Sequence, residues 1–155
     1  MKILIIEDDI QLNTTITNFL KYKGYKTTSV EDGEVALEYI NKNLYDLYII
    51  DINIPKISGL ELLKYIRQKD LKTPVVIITA SLELENIKTA YKNGCDEYIK
   101  KPFYLEELEI KIDKIFCIKF NHNFVISRFL NILLEKRTSP KNINITTIYQ
   151  SWFNL

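Results

Sequence analysis

Apolar residues along this chain follow two spacings that alternate with one another. Short, continuous runs stand at residues 2 to 6, 47 to 50 ("LYII") and 74 to 79 ("PVVIIT"), with weaker ones at 25 to 30 and 97 to 100. Continuous β-branched runs of this length are what strands buried on both faces require. Between them lie stretches with a helical period. Residues 10 to 22 carry Leu12, Ile16, Phe19 and Leu20 and are closed by Gly24. "DGEVALEYINKN" begins at Asp32, and "GLELLKYIRQK" places Leu60, Leu63 and Ile66 on one face. A fourth helix is expected near 83 to 93, ended by Gly94, and a fifth from about 104 with Leu105, Leu108, Ile112 and Ile115 together. "NIPKISG" is a loop by its Pro55 and Gly59, both read as loop-shaping residues. Five β/α units predict a doubly wound parallel sheet in the order 2-1-3-4-5, with the working crevice at the carboxyl ends of the strands.

Chemistry is therefore sought where strands end. Strand one runs into Glu7, Asp8 and Asp9, strand three into Asp51 and strand four into Thr79, while strand five is followed by Lys101. Neighbouring strands lie about 4.8 Å apart, so Asp8 and Asp51 come within reach of one small cation. Mutual repulsion among Glu7, Asp8 and Asp51 would be relieved by a hard divalent ion, with Mg²⁺ the best match because it keeps several waters and bridges to phosphate oxygens. Asp9, one residue further on, is expected to cap the first helix.

These residues occur in four motifs, "IIEDD", "IIDINIPKISG", "VVIITA" and "YIKKPF", in order at four strand ends. Together they resemble the receiver domain of two-component response regulators over about residues 1 to 116, a flavodoxin-like fold. The resemblance implies that Asp51 accepts a phosphoryl group from a histidine kinase, and that Glu7, Asp8, Asp51 and the main-chain carbonyl of Asn53 hold Mg²⁺. It also implies that Lys101 contacts the phosphoryl group, that the Lys101-Pro102 bond is cis, and that Thr79 bonds a phosphoryl oxygen while Tyr98 changes rotamer with it. The chain would then promote its own phosphorylation and dephosphorylation and turn over no outside substrate. Taken singly, the same residues have plainer readings. Asp51 could cap a turn, Thr79 could serve β-propensity, Tyr98 could be packing, and Lys101 could form a solvated pair with Lys100.

Composition adds bounds. The 155 residues are 46% hydrophobic and 26% charged, with a formal net charge of +1, which suggests neither strong nucleic-acid nor strong membrane attraction. Cys95 and Cys117 stand far apart without metal-ligand spacing and are read as plain thiols in a reducing compartment. "MKILIIEDD" turns acidic before a signal-peptide core could form, so a cytoplasmic protein is expected.

Residues 117 to 155 differ in character, with five basic residues (Lys119, Arg128, Lys136, Arg137, Lys141) against Glu135 alone. A helix is expected at 124 to 137 and, beyond the break at "TSPKN", an alternating strand in "INITTIYQSWF". This tail is shorter than the winged-helix DNA-binding domain of about 100 residues that resembling regulators carry. DNA binding is therefore not expected, and a truncated or frame-disrupted effector region is. The rival readings are a DNA-binding transcription regulator and a phosphatase of the haloacid dehalogenase type. The latter wants D-x-D, and position 53 is Asn. A phosphorylation-dependent homodimer through helix four, strand five and helix five is a further expectation. There Glu97 and Lys111 would pair across the two copies, while Ile87 stands where Glu107 would need a basic partner.

Overall fold

In the computed structural model, residues 1–70, 72–80 and 84–120 are described, and Met1–Ile115 make up one unit. The helix expected at 124 to 137 and the strand after Pro140 lie outside the described residues. Five strands, β1 (Lys2–Ile6), β2 (Lys26–Val30), β3 (Leu47–Asp51), β4 (Val75–Thr79) and β5 (Glu97–Lys100), alternate with helices α1 (Ile10–Tyr22), α2 (Gly33–Lys42), α3 (Gly59–Lys69), α4 (Leu84–Lys92) and α5 (Leu105–Phe120). All strand pairs are parallel, in the order β2-β1-β3-β4-β5. This is the doubly wound order that the spacing predicts, in the flavodoxin-like form that the resemblance implies.

Every residue of β3 and β4 is buried, as continuous apolar central strands must be. Alternation along the strands divides their side chains between two layers. Leu4, Ile6, Tyr48, Ile50, Val75 and Ile77 pack with Ala36, Leu62, Leu63, Ile66 and Ala90 of α2, α3 and α4. The intervening residues Ile3, Ile5, Ile49, Val76 and Ile78 are fully buried, and Ile16, Leu20, Leu108 and Ile112 of α1 and α5 are buried as completely. Lys23 and Glu109, 2.7 Å apart, tie the α1 terminus to α5.

Local chemistry sets the element ends. Asp9 caps α1 by accepting from the Gln11 and Leu12 amides, as expected, and Asp32 caps α2 through the Val35 amide. Ser58 and Glu61 form a reciprocal capping box on α3. Gly24 (φ +84°) and Gly94 (φ +90°) end α1 and α4 in the left-handed region. At the edge opposite the strand tips, the Arg67 guanidinium donates to the carbonyls of Gly94, Asp70 and Thr73 and to the Asp96 carboxylate. That carboxylate also accepts from the Val75 amide at 2.8 Å.

The buried stripe of α1 departs from its apolar pattern. Asn13, Ile16, Thr17 and Leu20 are its buried residues, whereas Leu12 and Phe19 are only partly covered. The 3.6-residue period carries a straight stripe from 13 through 16 and 17 to 20, so two polar residues take the inner positions. Both are hydrogen-bonded there.

Candidate phosphoacceptor and metal site

The parallel sheet brings all strand tips to one edge, and the residues singled out there converge. One carboxylate oxygen each from Glu7, Asp8 and Asp51 lie within 4.8 Å of one another. Glu7 is completely buried and Asp51 is 4% exposed, while Asp8 lies open to solvent. The Lys101 ammonium reaches between them, 2.5 Å from Asp51 Oδ2 and 2.7 Å from the Glu7 carboxylate. Burial works to lower the Lys101 pKa, but hydrogen bonds to Asp51 and Glu7 outweigh it and hold the group above its ordinary value. Lys101 is thus a firmly charged ammonium. Burial pushes the Glu7 carboxyl up, against the pull of Lys101 and with the help of the nearby Asp51 charge.

The surrounding backbone places these groups. The Lys101 amide donates to the Thr79 carbonyl at 2.8 Å, which fixes the residue after β5 against the tip of β4, and the Lys101-Pro102 bond is cis. Thr79 is fully buried at that tip. The Asn53 amide donates to Asp51 Oδ1 at 3.1 Å, so the β3–α3 loop turns back onto the carboxylate, with the Asn53 side chain exposed. Tyr98 is half-buried on β5 against the α2–α3–α4 layer, and burial first, then the Asp51 charge, raises its phenol pKa.

Two contributors were not foreseen from the sequence. Gly59, expected only to shape the loop, opens α3 directly against the backbone of Asp51. A Cβ there would stand 2.1 Å from the Asp51 carbonyl oxygen and 2.8 Å from its carbon. Its amide donates to the Ile52 carbonyl at 2.9 Å. The second is Asn13, whose buried side-chain amide donates to the carbonyls of Glu7 and Val30. Its place beside the apolar stripe of α1, next to Leu12 and one turn before Ile16 and Thr17, was the only signal for it.

Glu97 and Lys111, expected to pair across two copies, are bonded at 3.0 Å within the single chain, and Lys114 also reaches the Glu97 carboxylate at 2.8 Å. The two lysines are three residues apart on α5 and therefore reach the same strand carboxylate. Burial raises the Glu97 pKa, but the two ammonium groups prevail and hold it below the usual glutamate value.

The donor set suits Mg²⁺. Three carboxylates offer hard oxygens that already lie within 4.8 Å of one another, and the exposed Asp8 leaves room for the waters that Mg²⁺ keeps.

The chain matches the response regulator receiver domain family over residues 3–113. It is 34% identical over 150 residues to the transcriptional regulatory protein CiaR of Streptococcus pneumoniae, covering 96% of this chain and 66% of that protein. It is 42% identical over 110 residues to the response regulator ArlR of Staphylococcus epidermidis, covering 71% of this chain and 50% of that protein. The chain thus spans from about half to two thirds of the length of such relatives. Among solved structures, it is similar to the receiver domain of a Francisella response regulator (36% identity, TM-score 0.70), with 74% of this chain and 95% of that one covered. It is also similar to the response regulator TrrA of Thermotoga maritima in complex with Mg²⁺-BeF (32% identity, TM-score 0.67), with 74% and 97% covered. Among the described residues, no helix is long and apolar enough to cross a membrane.

Proposed function

Since the chain belongs to the response regulator receiver family, and its receiver domain is a two-component phosphoacceptor module, we propose that Asp51 is the phosphoacceptor and that Glu7, Asp8, Asp51 and the Asn53 carbonyl hold Mg²⁺. The observation that carries this reading is the single ammonium of Lys101 spanning Asp51 and Glu7 at one rim of a three-carboxylate pocket. The donor is the phosphohistidine of a histidine kinase. An Asp51 carboxylate oxygen bonds to phosphorus as the P–N bond breaks, and the electron pair of that bond stays with the imidazole.

Charge decides why these residues are needed. A carboxylate approaching a phosphoryl group meets anionic repulsion, and catalysis consists of positioning and of neutralising the equatorial oxygens. When bound, Mg²⁺ would supply part of that neutralisation as a Lewis acid. Lys101 supplies the rest, turning from Asp51 to a phosphoryl oxygen while its amide remains fixed to Thr79. Glu7, sealed from water, keeps the ammonium nearby throughout. The Thr79 hydroxyl donates to an oxygen of the new group and Tyr98 responds, so the surface of α4, β5 and α5 reports the phosphorylation state. A weak, phosphorylation-dependent homodimer through that surface is part of the reading. A cytoplasmic location follows from a kinase partner of this class.

Asp51→Asn preserves shape and removes the nucleophile. Parent and variant are incubated with acetyl phosphate and MgCl₂, and intact mass is measured. A phosphoryl adduct is expected on the parent alone, and only with the metal. Equal labelling of the variant, or labelling that persists in EDTA, would overturn the assignment.

A further inference from the structure

Asn13 is the one fully hydrogen-bonded polar side chain of α1 that reaches the acidic turn, and it touches neither Asp51 nor Lys101 among the bonds described. It is 6% exposed. Its Nδ2 donates to the Glu7 carbonyl at 2.8 Å and to the Val30 carbonyl at 3.3 Å. Two carbonyl acceptors demand the NH₂ side of the amide, and Thr17, one turn later, donates its hydroxyl to Oδ1 at 3.4 Å, which fixes the same orientation. The β1–β2 ladder ends at the pair Ile6–Val30, and beyond it the Glu7 amide still donates to the Val30 carbonyl at 3.1 Å. Asn13 therefore bonds the peptide that joins Glu7 to Asp8 at the place where β1 leaves the sheet.

The other side of Asp8 is held as well. Asp9 Oδ1 accepts the Gln11 and Leu12 amides, and the Asp9 carbonyl accepts the Asn13 amide at 2.8 Å. Asp8 lies between these two anchors, and both return to α1. An exposed carboxylate has no packing to hold it, so the backbone alone sets where its Cβ stands and hence the region its oxygens can reach.

We infer that Asn13 is a positioning residue for the metal site: by fixing the Glu7–Asp8 peptide it presets the direction of the Asp8 carboxylate and so raises the affinity of the resting protein for Mg²⁺. This rests on the metal reading above. Without the side-chain amide, the peptide rocks, and each bound ion must first order it.

The test is a MgCl₂ titration of the full chain, followed through the backbone amide shifts of residues 52 to 59 in ¹H–¹⁵N NMR. Asn13→Ala is expected to weaken Mg²⁺ binding at least threefold. Leu20→Val, on the same helix and fully buried away from the site, should lower the melting temperature yet bind Mg²⁺ as the parent does. Labelling by acetyl phosphate separates the cases further. The Asn13→Ala rate should recover to that of the parent at saturating MgCl₂, since affinity and not chemistry is lost. Should Asn13→Ala fail to fold, Asn13→Ser, which also lacks the reach to both carbonyls, takes its place with the same expectation. Parent-like Mg²⁺ affinity in the Asn13 variant, or an equal loss in Leu20→Val, overturns the positioning role alone. A parent that shows no Mg²⁺-dependent shift overturns the metal site and this role with it.

Discussion

Replacing Gly59 by alanine separates the placement of Asp51 from the stability of the fold. A Cβ at residue 59 would meet the Asp51 carbonyl oxygen at 2.1 Å, the Asp51 carbonyl carbon at 2.8 Å and Ile50 Cγ2 at 2.9 Å, where ordinary contact begins at 3.4 Å. Two of these three neighbours are backbone, which cannot swing aside as a side chain can. The start of α3 and the end of β3 must move apart, by about 1 Å in all. Overpacking of this kind costs about 1 to 3 kcal/mol. With a urea dependence of about 1.5 kcal/mol per molar, the unfolding midpoint should fall by roughly 1 to 2 M. The effect on chemistry should be larger in proportion, because a misplacement of about 1 Å at a reacting group can cost on the order of 10²-fold in rate. Gly24→Ala is the matched control. Its Cβ meets nothing within 4 Å, yet its φ of +84° is strained for alanine and should cost about 1 to 2 kcal/mol. The assay pairs urea unfolding with the initial rate of acetyl phosphate labelling at saturating MgCl₂, read by intact mass. Gly24→Ala should lose stability and label at the parent's rate, whereas Gly59→Ala should lose both. A Gly59→Ala protein that labels as fast as the parent would refute the claim that α3 seats the phosphoacceptor.

Asp113 on α5 is half-buried near Glu109 and Lys23, and burial first, then the Glu109 charge, pushes its carboxyl up to about 7 against the pull of Lys23. Its folded pKa exceeds the unfolded one, so its contribution to stability is fully present below about pH 4 and is lost as pH rises through about 7. Moving from pH 8 to pH 6 should therefore stabilise the parent by about 1 kcal/mol more than Asp113→Asn, measured by urea unfolding at both values; identical pH dependence in the two proteins would discard this. The dimer is the other case. Glu97 is already engaged by Lys111 and Lys114 of its own chain, and exposed ion pairs contribute only about 0 to 1 kcal/mol each. Sedimentation velocity should show a monomer without beryllofluoride and at most a weak dimer with it, and a tight dimer in its absence would rule out control by the phosphorylated receiver face.

What could be read from the sequence divides by the range of the interaction. Strand tips were legible because a continuous apolar run that stops at a charge marks both the element and its end, and β3 stops at Asp51 and β1 before Glu7. Parallel connection then carries Glu7, Asp8, Asp51 and Lys101 to one edge with no knowledge of side chains. Gly59 was misjudged because a glycine in "KISG" reads as a turn, and only the packing of α3 on β3 reveals that the missing Cβ is a matter of room beside Asp51. Asn13 escaped notice because the apolar stripe drawn through Leu12, Ile16, Phe19 and Leu20 shares only Ile16 and Leu20 with the buried one, whose other members, Asn13 and Thr17, are polar. The choice between them is made by the carbonyls of Glu7 and Val30, which attract an amide. Glu97 and Lys111 were legible as complementary charges, but their 3.0 Å approach within one chain was not, since sequence gives the complementarity of two charges and not their distance.

Arg67 gives the molecule a fixed end. Its four bonds join the end of α3, the loop before β4 and the turn before β5, and Asp96 links that knot to the first residue of β4. A strand held at its base and loaded at its tip behaves as a lever. Five residues of strand extend about 17 Å, so a tip displacement of about 1 Å corresponds to a tilt of only about 3° about the Arg67 knot. Such a tilt is within the scatter of neighbouring strands in an ordinary twisted sheet, and the ladder can follow it without breaking a rung. If Asp51 is phosphorylated as proposed, a shift of this size at the tips of β4 and β5 would cost the sheet little, with the Arg67 bonds holding the opposite edge.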